Sequence, residues 1–371
     1  MKKQETIAHM IVNYSINVKE KERVLITCSN NESKELVKKL IKEIVDNKGI
    51  PFVRIIDNEI EALLVESTNS LRINEIVKAK QFEIESFDSF INIRYASNDY
   101  EERLISWETL KEIGIKTKEI EDIRINQRKW VALKYPSQLD AYKAKMKNDE
   151  FYDYAMRAMT FNYEEMAEMI RPLKNLMENT DKVRIVGPDT DVSFSIKGMP
   201  IIPCVGRSNL PDGEIFVAPI KTSVEGKIQY NTDSPFRGSV FSNISFVFEK
   251  GEIISASCDG DNNQLLHEII ATDEGSKYIG EFSIGLNPAV LKPMGDILYD
   301  EKIIGSIHFT PGRAYRESYN GNDSAIHWDI VLIQREEYGG GEIYFDDKLI
   351  KKDGFFVDEE LKHLNYGLDN K

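Results

Sequence analysis

Arg23-Val24-Leu25-Ile26-Thr27-Cys28, the cap-like Ser29-Asn30-Asn31, the run Glu32 to Asp46, Asn47-Lys48-Gly49 and Pro51-Phe52-Val53-Arg54-Ile55-Ile56 follow one another near the N-terminus. The first run is short and β-rich. In the next, Leu36, Val37, Leu40, Ile41 and Ile44 recur at helical spacing, and Asn47-Lys48-Gly49 supplies a stop. Strand, helix and strand in this order make a βαβ unit. Further strands are predicted at Ser89-Phe90-Ile91-Asn92-Ile93-Arg94 and at Lys129-Trp130-Val131-Ala132-Leu133, so the expectation is an α/β domain with a mainly parallel sheet covered by helices. Neither GxGxxG nor GxxxxGK[ST] follows the first strand, which leaves no motif for a nucleotide site there.

Outward from this unit, Leu139 to Thr180 reads as mostly helical, with Met residues suited to packing. The texture then changes at Lys182-Val183-Arg184-Ile185-Val186-Gly187 to short β runs separated by Gly, Pro, Asn and Asp. The expected division is an N-terminal α/β domain with a helical connector over 1–180 and a β-rich α+β metal-binding domain over 181–371. In the latter, strands are predicted at Ser193 to Ile196, Glu214 to Ala218, Gly238 to Glu249, Ile253 to Cys258, Gly305 to Phe309, Ala325 to Ile333 and Gly341 to Phe345. One helix is predicted near Asn263 to Ala271.

Composition narrows the function. Of 371 residues, 41% are hydrophobic and 30% charged, the balance of a globular protein. A net charge of -14 repels phosphate backbones and anionic lipid, so nucleic acid and membrane surfaces are poor partners, whereas cationic groups and divalent metals suit it. Three cysteines without a CxxC pair fit a reducing compartment, and the N-terminal residues lack an apolar signal-peptide core. The expected location is cytoplasmic.

The chemistry lies in the second half. In Ala325-Ile326-His327-Trp328-Asp329-Ile330-Val331-Leu332-Ile333, strand alternation puts His327 and Asp329 on one face. Burying such a pair requires hydrogen bonds or a metal, and a simple His to Asp hydrogen bond remains open for this motif alone. Glu214 follows the turn Leu210-Pro211-Asp212-Gly213 at the mouth of an apolar strand; Glu281 lies between glycines and hydrophobes; Glu301 stands at a strand entrance and His308 within the β run. Of five histidines, only His308 and His327 sit on apolar strands. Together Glu214, Glu281, Glu301, His308, His327 and Asp329 offer only nitrogen and oxygen donors, which suit Zn, Mn, Co or Fe, and more than three carboxylates favour two ions. A metal pair that activates water and polarises a carbonyl points to hydrolysis.

With these segments in place, the sequence resembles the aminopeptidase T family of metallopeptidases, M29, in its shorter-chain branch. The resemblance rests on Val183-Arg184-Ile185-Val186-Gly187-Pro188, Asn209-Leu210-Pro211-Asp212-Gly213-Glu214-Ile215-Phe216-Val217-Ala218-Pro219, Gly280-Glu281, Asp300-Glu301-Lys302, His308, Tyr315 and His327-Trp328-Asp329, in order. It implies a metal-dependent aminopeptidase that hydrolyses short peptides through a two-metal activated water. It also implies two divalent ions (Zn, Co or Mn) held by Glu214, Glu281, Glu301, His308, His327 and Asp329, and a homodimer around an enclosed cavity. Glu281 is the expected ligand and proton acceptor, Tyr315 the expected oxyanion donor. The interval from Glu301 to His308 is two residues longer than in longer-chain members. An alternative is a ring-cleaving, non-haem Fe(II) dioxygenase-like enzyme that uses His308, His327 and Asp329.

Overall fold

The computed structural model describes residues 2–29, 32–66, 69–96, 107–236 and 238–368. The chain divides into two compact units, Met1–Thr160 with Gly206–Pro211 and Phe161–Val205 with Asp212–Lys371. In the first unit, β1 (Arg23–Cys28), β2 (Ile50–Ile55), β3 (Ser89–Arg94) and β4 (Lys129–Lys134) form a parallel sheet in the order β2-β1-β3-β4, extended by the two-residue strand Asn209–Leu210. Helix Lys34–Asp46 connects β1 to β2 and buries Leu36, Val37, Leu40 and Ile44, the residues whose spacing predicted it. Both faces of the central strands are covered, so β1 reads as a nearly continuous apolar run rather than an alternating one.

The second unit is built from antiparallel sheets. Eight strands, in spatial order Glu252–Ser257, Ser245–Glu249, Glu225–Gln229, Thr190–Ser195, Lys182–Gly187, Glu342–Phe345, Lys348–Lys352 and Phe355–Phe356, form the larger one. The smaller comprises β5 (Ile202–Cys204), β6 (Glu214–Val217), β7 (Ile279–Gly285), β8 (Ser306–Pro311) and β9 (Val331–Ile333), ordered β9-β8-β7-β6-β5. An aromatic cluster joins the two sheets. Phe194 of the larger lies 5.0 Å from Phe282 and 5.1 Å from Phe309 of the smaller, between ring centroids. Each such buried ring contributes about 1.5–3 kcal/mol, the stabilisation against which the charged opposite face of the small sheet is held.

Two boundaries differ from expectation. The division falls at Thr160/Phe161 rather than at 180/181. Helices Tyr163–Met169 and Arg171–Glu178 pack with the second unit, because the buried Tyr163 hydroxyl accepts a hydrogen bond from the Asp212 amide at 2.8 Å and one from the Asn287 amide group at 3.2 Å. Residues 206–211 return to the first unit through the pairing of Ala132 with Asn209. The strand predicted over Ala325 to Ile333 is regular only at Val331–Ile333. Ahead of it the chain follows β8 in broken contacts, the Trp328 amide to the Pro311 carbonyl and a single bridge from His327 to Gly312, because Gly312 bends the partner strand with φ 106°.

Candidate metal centre

Strand alternation and register build the site. In β6, β7 and β8, Glu214 lies opposite Gly285, Ser283 opposite both Phe216 and His308, and Glu281 opposite Thr310. One face of the sheet therefore carries Glu214, Glu281, Ser283, His308 and Thr310, while Ile215, Val217, Phe282, Ile284, Ile307 and Phe309 line the other. A bulge at Gly280 shifts the register between Ile279 and Glu281 and sets Glu281 on the polar face. His327 and Asp329 arrive from the irregular segment before β9. Glu301 arrives from the end of the short helix Ile297–Asp300.

The structure brings all six expected donors together. His308 Nε2 lies 2.8 Å from Glu281 Oε1, 3.6 Å from Glu214 Oε2 and 3.9 Å from Asp329 Oδ1. His327 Nε2 lies 3.1 Å from Asp329 Oδ1 and 3.8 Å from Glu281 Oε2. Glu301, His308 and Asp329 each offer an atom within 4.8 Å of the others, as do Glu214, Glu281 and His308. The other imidazole nitrogen of His327, Nδ1, donates to the Arg313 carbonyl at 2.7 Å, which fixes the tautomer and leaves Nε2 facing the carboxylates. The Tyr315 ring packs 4.5 Å from that of His327.

Four residues to which the sequence reading gave no role complete the cluster. Ser283 donates to Glu214 Oε2 at 2.9 Å and Thr310 to Asp329 Oδ1 at 2.8 Å. The buried Lys302 ammonium lies 2.5 Å from Glu214 Oε1, 2.6 Å from Glu301 Oε1 and 3.7 Å from Asp212 Oδ1. Nothing in the sequence marks Lys302 apart from an ordinary lysine beside a glutamate; its burial is what demands the nearby carboxylates.

So many buried charges displace each other's protonation. Burial raises Glu281, and the His308 and His327 imidazoles only partly offset it. Burial also raises Glu301, which the Lys302 charge opposes and the Glu214 and Asp329 charges reinforce, so that it reaches about 8. For His308, burial alone would lower the value, but Glu214 and Glu281 lift it to about 10; for His327, Asp329 and Glu281 likewise overcome burial and lift it to about 9. Asp329 would be raised by burial but is held below its ordinary value by the two histidines and the Thr310 hydroxyl. Desolvation around its hydroxyl and the Asp329 and Glu281 charges raise the Tyr315 phenol above its ordinary value and keep it protonated, although the residue as a whole is 40% exposed.

The donor set fits a divalent ion. Donors in a tetrahedral shell about 2.0–2.1 Å from an ion stand about 3.4 Å apart. Donor atoms of Glu214, Glu281 and His308 all lie within 4.8 Å of one another, as do those of Glu301, His308 and Asp329, so each trio can close on that spacing with small side-chain movements, and His327 stands 3.1 Å from Asp329 beside them. Glu281 Oε2 is buried with no hydrogen-bond partner among the described residues, a costly state unless something else binds there.

A family model described as thermophilic metalloprotease (M29) matches residues 1–342. The chain belongs to the M29 family. Among curated proteins, it is similar to aminopeptidase AmpS of Bacillus subtilis, 27% identical over 128 residues that make up 33% of this chain and 30% of that protein. It is also similar to aminopeptidase T of Thermus thermophilus, 28% identical over 144 residues, 34% of this chain and 35% of the relative. The alignments thus span about a third of the length of these relatives. The fold of this M29 chain matches that of a solved structure, wild-type AmpT from Thermus thermophilus, with a TM-score of 0.77 at 17% identity, over 96% of this chain and 99% of the other. No helix among the described residues is long and apolar enough to cross a membrane.

Proposed function

We propose that this M29 chain is a metal-dependent aminopeptidase, and that the observation that carries this reading is the convergence of two overlapping trios of donors, Glu214 with Glu281 and His308, and Glu301 with His308 and Asp329, each within 4.8 Å of one another. Glu214, Glu281, Glu301, His308, His327 and Asp329 would hold the metal, while Ser283 and Thr310 orient Glu214 and Asp329. When bound, the ion supplies Lewis acidity toward a peptide carbonyl and activation of water for attack. Glu281's second oxygen takes the proton from the attacking water and passes it to the leaving amine; its raised pKa suits this exchange. The protonated Tyr315 hydroxyl donates to the developing oxyanion. The carboxylate-rich wall attracts the α-ammonium group of a peptide, which favours cleavage at a free N-terminus.

Preference for short peptides and assembly as a homodimer are carried by the family resemblance. The family match gives no support to the dioxygenase alternative. Chelation is expected to abolish peptide cleavage, and added Zn, Co or Mn to restore it, measured with free-amine di- and tripeptides. Full activity in metal-free protein would sink the reading.

A further inference from the structure

The carboxylate cluster answers the positive end of a peptide, and the segment that follows β8 carries a charge of the opposite sign beside it. The backbone of this segment is tied to the site. The Arg313 amide donates to the Ile326 carbonyl at 2.8 Å, and His327 Nδ1 donates to the Arg313 carbonyl at 2.7 Å. Exposure then alternates, with Arg313 exposed, Ala314 3% exposed and Tyr315 40% exposed, so Arg313 and Tyr315 project from the same side. Tyr315 lies against the centre, its ring 4.5 Å from that of His327 and 6.0 Å from that of Phe216. Burial and the Asp329, Glu281 and Glu301 charges raise the Tyr315 phenol, and the Arg313 guanidinium opposes them, which puts its charge within reach of the hydroxyl. Among the described residues no carboxylate pairs with that guanidinium. Two other cations are already engaged. The Lys302 ammonium is buried against Glu214 and Glu301, and that of Lys221 lies 4.6 Å from the centre of the Tyr278 ring.

We propose that Arg313 is the receptor for the C-terminal carboxylate of a short peptide, so that the site takes a di- or tripeptide as a zwitterion, its α-ammonium against the carboxylate cluster and its carboxylate on the guanidinium. The proposal rests on the aminopeptidase reading and deepens it by naming the side chain that limits substrate length. A guanidinium presents parallel N–H donors that match the two oxygens of a carboxylate, so the contact is directional as well as attractive. Its position suits a gauge of length. Tyr315, the proposed oxyanion donor, stands two residues from Arg313, roughly 7 Å along extended backbone, which is the span of about two residues of an extended substrate. One or two residues beyond the scissile bond therefore bring the terminal carboxylate to the guanidinium, and a longer peptide carries it past. The carboxylate cluster by itself attracts any free α-ammonium. Selection for short peptides comes from the pair of opposite charges.

The test uses the full chain loaded with Mn(II) and two substrates, the dipeptide Leu-Leu and its C-terminal amide, with kcat and KM measured for each by liquid chromatography. The quantity read is the KM of the amide divided by that of the free dipeptide. Taken within one protein, this ratio does not respond to loss of folded material. In the wild type it is expected to be at least ~10, the order of one charge-assisted contact, with a smaller change in kcat. Arg313→Gln should bring the ratio close to one, and Arg313→Lys, which keeps the charge and loses the fork, should fall between. A wild-type ratio near one with both substrates cleaved would overturn the proposal and leave the metallopeptidase reading intact, and so would an Arg313→Gln protein that keeps the wild-type ratio. A wild type indifferent to amidation that favours Leu-Asp-amide over Leu-Asn-amide would assign the guanidinium to a side-chain carboxylate and overturn the C-terminal role. Cleavage of neither substrate by the metal-loaded protein would remove the aminopeptidase reading itself. Should Arg313→Gln fail to fold, the wild-type ratio and Arg313→Lys decide.

Discussion

Glu281 combines features that no other carboxylate in the cluster shares: one oxygen lies 2.8 Å from His308, the other has no hydrogen-bond partner among the described residues, and burial raises its pKa. Glu281→Gln preserves volume and removes both charge and proton-accepting capacity. It is expected to lower kcat/KM at least ~100-fold, the lower end of what a positioned acid/base group contributes, with a melting temperature close to wild type. A folded variant with near wild-type cleavage would refute the role. The histidines give a second prediction at this scale. In metal-free protein, His308 near 10, His327 near 9 and Glu301 near 8 all hold protons above their ordinary values. A raised folded-state pKa gives stability that is present below the unfolded value and is lost as pH rises through the folded one. The metal-free protein should therefore lose melting temperature from about pH 4.5, where Glu301 begins to contribute, through the histidine range and up to about pH 10. Metal binding must displace the imidazole protons, so the melting increment from added Mn or Zn should grow over that window, and apparent affinity should rise about tenfold per pH unit for each proton displaced. Differential scanning fluorimetry with and without metal checks both signs; an increment that shrinks with rising pH would contradict the assignment of the histidines as ligands.

Among the elements, β7 is the one on which the site depends most. Its bulge at Gly280 puts Glu281 across from Thr310, and a Cβ at Gly280 would meet the Arg313 carbonyl oxygen at 2.4 Å and that of Gly312 at 2.5 Å. These are backbone atoms and cannot swing away. Gly280→Ala is expected to cost about 1–3 kcal/mol in denaturant unfolding, the range for overpacking. The substitution should also reduce activity in the protein that remains folded, because the Arg313 carbonyl displaced by the methyl group is the acceptor that orients His327. Wild-type stability and activity in this variant would show that the close approach is not needed. The same element scale explains the shortened strand before β9. Alternation in Ala325 to Ile333 reports which side chains are buried, and Ile326, Trp328 and Ile330 are buried. It does not report whether the backbone pairs regularly, and the bend at Gly312 interrupts the ladder that alternation led one to expect.

For the whole molecule, the proposed function together with the acidic sequence favours a substrate with a positive terminus. Peptides with an acetylated N-terminus are therefore expected to be cleaved far more slowly than their free counterparts, by at least ~100-fold in kcat/KM, about 2.7 kcal/mol of transition-state stabilisation. Liquid chromatography of matched peptide pairs measures this directly. Equal cleavage of both would leave a metallohydrolase but end the aminopeptidase assignment.

The sequence by itself determined the parallel βαβ unit, because a buried parallel sheet requires apolar runs and amphipathic helices in alternation, and Val24 to Cys28 with Leu36 to Ile44 carry both. It also singled out Glu214, Glu281, His308, His327 and Asp329 as candidates, since they are charged or polar residues within apolar runs, where burial without a partner is costly. Left to tertiary structure were the unit boundary, because the helices after Phe161 are amphipathic whichever unit they cover and only the Tyr163 contacts with Asp212 and Asn287 assign them. Tertiary structure also decided the place of Lys302. A lysine beside a glutamate is in sequence an ordinary surface pair, and only the turn after helix Ile297–Asp300 carries both into the interior, where the ammonium must sit against Glu214 and Glu301 because no water is there to solvate it.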